Sequence, residues 1–361
     1  MASYLDYLLN PLELLRTRKV LHVNPTVSVV RPLTEAREKH VFEYTATALE
    51  EKELQDVRES FSYLDSEGIT WINIGGLVKE DVEAICGHYN IHPLVVEDIL
   101  SHGQRPKMDE INGLLFCLLN MLYYNPDTHG VETEQVSIVL GKNFVITFQE
   151  DGQRDVFNQL REKLRGGHSR LRQAGADFLF YNLIDSIVDH YYLVMEQLGE
   201  RIENVEEEII RNPSSRSMSL INMLRKEMIV LKRNVSPVRE LVGGILRSEN
   251  EFIAERTEKY FKDVYDHIIQ ANDLAENYRD MIMNLQDLYL NNMNLKLNEI
   301  MKVMAIVTCL LAPATVIGGI FGMNFDKIPL LHNQWGFFIS VAVMLLVPVG
   351  MIILFRKRVW F

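Results

Sequence analysis

Two long uncharged runs near the end of the chain constrain its fold more than any other feature. Residues 303–321 and 337–355 carry no charged side chain, and 15 residues connect them. A helix rises about 1.5 Å per residue, so each run of 19 residues is long enough to cross a hydrocarbon core about 30 Å thick. The sequence therefore predicts a membrane hairpin, preceded by a large soluble body on one side of the membrane.

Basic residues predict the orientation of this hairpin. Lys296 and Lys302 precede the first run, and residues 356–358 are Arg, Lys and Arg, whereas the connection contains only Lys327. Positive charge is concentrated on the cytoplasmic side of membrane proteins. We therefore expect the protein to lie in the inner or plasma membrane, with both termini in the cytoplasm.

Composition narrows the function classes. The formal net charge of −12 argues against nucleic acid as a partner, and the three cysteines show no CxxC spacing. The sequence contains no phosphate-binding glycine motif and no HExxH motif. We therefore expect a protein that is not an enzyme.

The chain before the hairpin divides by pattern into a mixed α/β part and a helical part. Strands are predicted at residues 27–30, 41–44, 70–74, 114–124 and 131–148, with a turn at 140–143, and helices at residues 79–89 and 93–100. Long amphipathic helices follow, and Pro237 is expected to kink or interrupt the second of them. The predicted parts are a cytoplasmic α/β domain (1–170), antiparallel long helices (171–250), a stalk helix (251–300), a first membrane helix (301–321), an external loop (322–336), a second membrane helix (337–355) and a basic tail (356–361).

The predicted stalk continues without a proline from about residue 251 to Pro313, inside the first membrane run. A rod on the order of 100 Å cannot be buried by the rest of one subunit. We therefore expect an α+β membrane protein that oligomerises.

A polar seam runs along this rod at alternating spacings of three and four. Its cytoplasmic positions are Asp263, Asp266, Gln270, Asp273, Asn277, Asp280, Asn284, Asp287, Asn291, Asn294 and Asn298, and in the same register it continues as Met301, Ala305, Thr308, Ala312, Thr315, Gly319 and Gly322. A solvated helix face is the ordinary interpretation of such a stripe. However, this seam contains neither Lys nor Glu, and it passes in phase into small and hydroxyl residues of the membrane run. Polar groups there usually face a partner or a water-filled path, so we interpret the seam as pore-lining.

The chemistry of the seam favours a hydrated divalent cation. Rings of Asp and Asn attract cations, and the membrane part of the seam has no acidic residue. Mg²⁺ gives up its water reluctantly, and amide, hydroxyl and carbonyl groups can hold it with its hydration shell. Met301 and Met304 lie near the inner membrane face, where a hydrophobic ring can close a pore by dewetting. Packing against lipid or helices is the alternative role for these methionines.

The end of the first membrane run resembles a known family. Phe321-Gly322-Met323-Asn324-Phe325 is similar to the signature of the CorA magnesium and cobalt transporters, and it lies between two C-terminal spans, as in that family. Similar stretches occur at residues 92–99, 104–107, 183–185 and 263–267. The outer loop departs from the family pattern, because Ile328-Pro329-Leu330-Leu331 has no glutamate and leaves Asp326 as the only loop acid.

The resemblance implies a funnel-shaped homopentamer that transports Mg²⁺, with Co²⁺, Ni²⁺ or Zn²⁺ as other candidate ions. It implies a selectivity filter at Gly322, Met323 and Asn324, and a gate at Met301 and Met304. It further implies an inner polar ring at Asn298. The polar seam itself predicts the pore-lining residues, which are Asp287, Asn291, Asn294, Asn298, Thr308, Ala312, Thr315 and Gly319. The residues that match the family's regulatory metal ligands between subunits are Asp98 and Asp263, followed by Glu97 and Asp185.

Three functions therefore remain open. The leading hypothesis is a channel-type Mg²⁺ transporter that the membrane potential drives and cytoplasmic metal gates. The second is a zinc or cobalt transporter of the same family, in the import or the export direction. The third is a membrane-anchored metal sensor without conduction, for which a hydrophobic rather than a polar seam would be expected.

Overall fold

The computed structural model describes residues 38–152, 154–167, 169–248, 250–324, 328–330 and 333–357. The strand predicted at residues 27–30, the loop residues Asp326 and Lys327, and the tail residue Arg358 lie outside this part of the chain. The described residues fall into two compact units. The first contains the residues up to Glu208 and Ser214–Gln286, and the second contains Ile209–Pro213 and the residues from Asp287 onward.

The first unit is built on a seven-stranded mixed sheet. Its strands are β1 (Glu38–Tyr44), β2 (Leu49–Glu53), β3 (Ile69–Gly75), β4 (Lys107–Ile111), β5 (Leu114–Asn125), β6 (Gly130–Leu140) and β7 (Phe144–Gln149). Their order is β2-β1-β3-β7-β6-β5-β4, and only β3 and β7 run parallel. The predicted turn at residues 140–143 joins β6 to β7, and Gly141 donates its N–H to the Phe144 carbonyl at 2.9 Å.

Two short helices cover one face of the sheet. They are α1 (Lys79–His88) and α2 (Pro93–Leu100), which agree with the sequence prediction. Val82 and Ile85 of α1 and Ile99 of α2 are fully buried in one core with Ile72 and Ile146 of the sheet. His92 caps α2 by accepting the Leu94 N–H on its ring nitrogen at 3.2 Å. A third short helix, α3 (Asn158–Arg165), follows β7.

Long helices make up most of the described chain after α3. They are α4 (Ala176–Arg211), α5 (Ser215–Arg247), α6 (Glu255–Phe321) and α7 (Gly336–Lys357). Pro237 lies inside α5 and does not interrupt it. The missing N–H removes one helical hydrogen bond, but Val235, Pro237 and Val238 are all buried, so packing on both sides of the proline holds the helix together.

Among the described residues, two helices are long and apolar enough to cross a membrane. They are α6, through its C-terminal part, and α7. Only 6% of the apolar window in α6 and 0% of that in α7 is buried inside the protein. A core helix of a soluble protein would be mostly buried, so this exposure agrees with contact to lipid or to other subunits.

Candidate functional site

The polar seam lies on a face of α6 that the chain itself leaves open. Every cytoplasmic seam position from Asp263 to Asn298 is exposed. The apolar residues of the same helix behave differently, since Ala271, Ala275, Ile282 and Leu285 are at most 3% exposed. As far as Leu285, helix α6 therefore buries one face in its own subunit and presents an amide and carboxylate face to the outside.

From Met301 to Gly322 the seam is exposed, as is most of this part of α6, in which Ile306 is buried. The Thr308 hydroxyl donates to the Met304 carbonyl at 2.9 Å, and the Thr315 hydroxyl donates to the Leu311 carbonyl at 3.1 Å. Each hydroxyl proton is thus used within the helix, and the oxygen lone pairs remain available as acceptors. This arrangement suits a hydrated cation, whose bound waters donate hydrogen bonds.

Alpha6 ends at Phe321, directly before the Gly-Met-Asn motif. Gly322 donates its N–H to the Gly318 carbonyl at 3.0 Å, and Met323 donates to the Ile320 carbonyl at 3.3 Å. A Cβ on Gly322 would lie 3.2 Å from the Gly318 oxygen, so a larger residue would be crowded here. Gly322, Met323 and Asn324 are all exposed.

The two predicted gate methionines are among the most exposed apolar residues of α6. Met301 is 67% and Met304 is 63% exposed. Residues three apart lie on neighbouring positions of one helix face. Their side chains can therefore meet the same partner surface, and a ring of methionines around an axis stays a prediction.

A cluster of metal-binding side chains joins α4 to α6 in the first unit. Ligand atoms of Asp185, Asp189 and His267 lie within 4.8 Å of one another. His267 Nε2 is 4.0 Å from an oxygen of Asp263, and its Nδ1 is 3.9 Å from an oxygen of Asp189. We call Asp185, Asp189, Asp263 and His267 the acidic cluster.

Neighbouring tyrosines fix parts of the acidic cluster. The Tyr181 hydroxyl donates to Asp185 at 3.1 Å, and the Tyr192 hydroxyl donates to the His267 carbonyl at 2.6 Å. Burial, and then the charge of Asp189, raise the pKa of Asp185 above its usual range, while the Tyr181 hydrogen bond opposes this rise. A bound divalent cation would relieve this repulsion.

The donor set of the acidic cluster fits such a cation. It offers three carboxylates and one imidazole, which are ligands that divalent ions accept. The Nδ1 atom of His267 is also buried without a hydrogen-bond partner among the described residues. A metal ion in contact with this nitrogen would satisfy it.

The other two predicted regulatory residues lie on α2. Glu97 is exposed, and Asp98 is partly buried with its carboxylate 2.6 Å from the ammonium of Lys107. Asp98 is therefore balanced by a positive charge of its own subunit. The structure brings Asp185 and Asp263 into one cluster, and it places Glu97 and Asp98 on a separate element.

Sequence reasoning did not select Asp189 or His267 as ligands. Their signal was the spacing of four, since Asp185 and Asp189 lie one turn apart on α4, as do Asp263 and His267 on α6. Residues four apart share a helix face. Two such pairs on neighbouring long helices could have suggested a metal cluster.

Comparison with known proteins identifies the family. Residues 66–357 match the family model described as the CorA-like Mg²⁺ transporter protein. The chain belongs to the CorA family. Over 324 residues, it is 38% identical to the cobalt/magnesium transport protein CorA of Thermotoga maritima, covering 90% of this chain and 92% of the relative.

More distant relatives extend this picture. The zinc transport protein ZntB of Yersinia pestis is 18% identical over 303 residues, which cover 80% of this chain and 87% of ZntB. The complete structure of the CorA magnesium transporter of Methanocaldococcus jannaschii superposes with a TM-score of 0.73 at 20% identity, covering 92% of this chain and 100% of that chain. At that identity, the superposition shows that the two share a fold.

The predicted α+β fold and the CorA family are thus confirmed, and assembly into a homopentamer stays a prediction. The chain is a CorA-family divalent metal transporter, with a soluble mixed α/β domain, long helices and two candidate C-terminal membrane helices. A family of transporters also excludes the enzyme class, as the sequence predicted.

Proposed function

We propose that this chain conducts divalent cations, Mg²⁺ first, through a pore that the α6 helices of five copies line together. The observation that carries this proposal is the polar seam, which is exposed along α6 while, as far as Leu285, the opposite apolar face is buried. A two-span subunit cannot enclose a pore alone, so the seams must face a shared axis. The relative from Thermotoga maritima, which is named a cobalt/magnesium transport protein, supports the choice of ion.

The cytoplasmic and membrane parts of the seam contribute differently to conduction. Its cytoplasmic part carries five aspartates, Asp263, Asp266, Asp273, Asp280 and Asp287, whereas the membrane part offers only amides, hydroxyls and backbone. Five copies of each aspartate attract cations, and the uncharged membrane part does not hold the ion so tightly that it stops. Gly322, Met323 and Asn324 select the hydrated ion at the outer end, and Met301 and Met304 close the inner end.

The membrane potential supplies the driving force for import. It contributes roughly 2.3 kcal/mol per elementary charge per 100 mV, and about twice that for a divalent cation. With both termini in the cytoplasm, the ion enters at the external Gly-Met-Asn turn and leaves along the stalk.

Cytoplasmic metal closes the pore through carboxylates between subunits. Asp98 and Glu97 of one copy approach Asp263 and Asp185 of the next, and Asp189 and His267 complete the donor set. Without metal the carboxylates of the acidic cluster repel one another, and the bound ion shifts the population toward a closed, symmetric ring. The donors already gathered in one subunit, with ligand atoms within 4.8 Å, support this role.

Flux measurement tests the proposed function. Proteoliposomes that contain a magnesium-sensitive dye are given an inside-negative potential, and Asn324→Ala is compared with the intact chain. We expect Mg²⁺ uptake to fall about tenfold or more, because loss of one polar group that contacts the ion costs about 1.4 kcal/mol or more.

The matched control is Asn333→Ala in the same external loop. The Asn333 side chain accepts the Trp335 N–H at 2.9 Å, so this change perturbs the loop without altering a filter residue, and flux should persist. Parallel assays with Co²⁺ and Zn²⁺ decide between the ions. A folded oligomer that carries none of these ions would refute conduction and favour the sensor hypothesis.

A further inference from the structure

Lys107 lies between two carboxylates, one of which is the proposed regulatory ligand Asp98. Its ammonium is 2.6 Å from an oxygen of Asp98 and 3.2 Å from an oxygen of Asp109. The Asp98 side chain is only 17% exposed, whereas that of Asp109 is 40% exposed. The ammonium therefore holds the more buried carboxylate at the shorter distance.

Rigid elements present this ion pair. Lys107 begins β4, where it pairs with Leu118 of β5. The Asp98 carbonyl near the end of α2 accepts hydrogen bonds from Gln135 Nε2 at 3.1 Å and from the Ser101 hydroxyl at 2.8 Å. The backbone at Asp98 is thus fixed, and its carboxylate can exchange partners only by movement of the side chains.

We propose that Lys107 is a tethered cation that competes with the regulatory metal for Asp98 and so sets the metal concentration at which the pore closes. This inference rests on the proposed role of Asp98 as a metal ligand. The Asp98 oxygen that contacts the ammonium cannot also bind a divalent ion, and an ammonium next to that ion repels it. Metal binding must therefore displace Lys107.

Asp109 makes this displacement easy. The ammonium already contacts Asp109, so it can leave Asp98 without becoming an unpaired charge. When the metal dissociates, the ammonium returns and neutralises a carboxylate that is largely buried. Lys107 thus weakens metal binding and stabilises the metal-free form. As a result, the metal concentration at which the pore closes is higher than it would be with the carboxylates alone.

The test measures metal affinity without transport. The purified full-length oligomer in detergent is treated with protease over a range of Mg²⁺ concentrations, and the midpoint of protection is recorded. We expect Lys107→Met to lower this midpoint about three- to fivefold, the size expected when a partly exposed ion pair no longer competes. Lys107→Arg keeps the charge and should leave the midpoint within about twofold of the intact value.

Lys39→Met is the matched control. Lys39 contacts Asp81 at 2.6 Å, in a pair whose side chains are 11% and 22% exposed, and its strand β1 is five positions from β4 in the sheet order. We expect its midpoint to remain unchanged. An equal shift in Lys39→Met would mean that loss of any lysine has this effect, and it would overturn the inference.

Asp98→Asn distinguishes the competition by Lys107 from the proposed role of Asp98 as a metal ligand. This substitution should raise the midpoint, and in its background Lys107→Met should have no further effect. If Asp98→Asn raises the midpoint but Lys107→Met leaves it unchanged or raises it, the competition is wrong and the metal role of Asp98 stands. If Asp98→Asn has no effect, the proposed role of Asp98 fails and the inference fails with it.

Discussion

Glu134 shows how a single buried residue ties the stability of the soluble domain to pH. It is 7% exposed on β6, and its carboxylate accepts the Asp151 N–H at 3.0 Å. Burial, with a smaller contribution from Glu150 and other nearby acids, raises its pKa from 4.5 to about 8. In the unfolded chain this group ionises near its usual pKa, so between these two values only the folded form keeps the proton. Folding stability therefore falls as pH rises from about 4.5 to about 8.

We predict that Glu134→Gln stabilises the protein at pH 8.5 and has little effect at pH 5. The amide oxygen of the glutamine can still accept the Asp151 N–H, and the substitution removes the ionisation that opposes folding. The gain at pH 8.5 should be on the order of 2 kcal/mol, below the full value of about 1.4 kcal/mol per pKa unit because the surroundings relax. Melting curves of the full-length protein in detergent at the two pH values measure it.

Glu132→Gln is the control for this prediction. Glu132 lies two residues away on the same strand, and its carboxylate accepts hydrogen bonds from Asn125 and Arg154. This substitution should not stabilise the protein at pH 8.5. A gain for Glu134→Gln of equal size at pH 5 and pH 8.5 would show that ionisation is not the cause.

Individual residues also mark where sequence reasoning ends. The polar seam could be predicted because its period lies within one helix. Its exposure agrees with that prediction, and its role in lining a pore stays a prediction. The pairing of Asp189 with His267 was not readable, because it depends on the register of α4 against α6, which lie 78 residues apart at these positions. The period of a sequence indicates which face of a helix is polar. It does not indicate which helix packs against that face.

At the scale of elements, apolar content decided which strands could be predicted. The predicted strands within the described residues correspond to β1, β3, β5, β6 and β7, which supply most of the buried sheet residues. The strands that were missed, β2 with sequence LEEKE and β4 with sequence KMDEI, are the two edges of the sheet. Charged side chains protect edge strands from pairing with other chains, and the same charges conceal them from a search for apolar alternation.

We expect substitutions on the two faces of α6 to have different effects. Ile282 is 3% exposed on the buried face, and Asn284 is exposed on the seam. We expect Ile282→Ala to destabilise the domain by about 2 to 4 kcal/mol through the cavity that it leaves. Asn284→Ala should leave the melting temperature nearly unchanged and should reduce Mg²⁺ flux. Melting curves and proteoliposome flux on both variants provide the measurement.

The reverse pattern would contradict this assignment of faces. If Asn284→Ala lowers the melting temperature as much as Ile282→Ala and leaves flux intact, the seam is a packing surface. The sensor hypothesis would then gain support at the expense of the pore.

At the scale of the whole molecule, symmetry makes the pore testable through a soft metal. A cysteine on the seam would be repeated around the shared axis, so several thiolates would converge on one Cd²⁺ ion, a metal that thiolates bind well.

Cys86 and Cys117 are buried, and Cys309 is exposed, so Cys309→Ser provides the background. In this background, Asn291→Cys should allow Mg²⁺ flux that Cd²⁺ blocks at concentrations on the order of micromolar. The neighbouring Leu290→Cys, which replaces a side chain that is 50% exposed but lies off the seam, should need far more Cd²⁺, because its thiols point away from the axis and cannot converge. Equal block of both variants, or no block of Asn291→Cys, would mean that the seams do not meet at an axis.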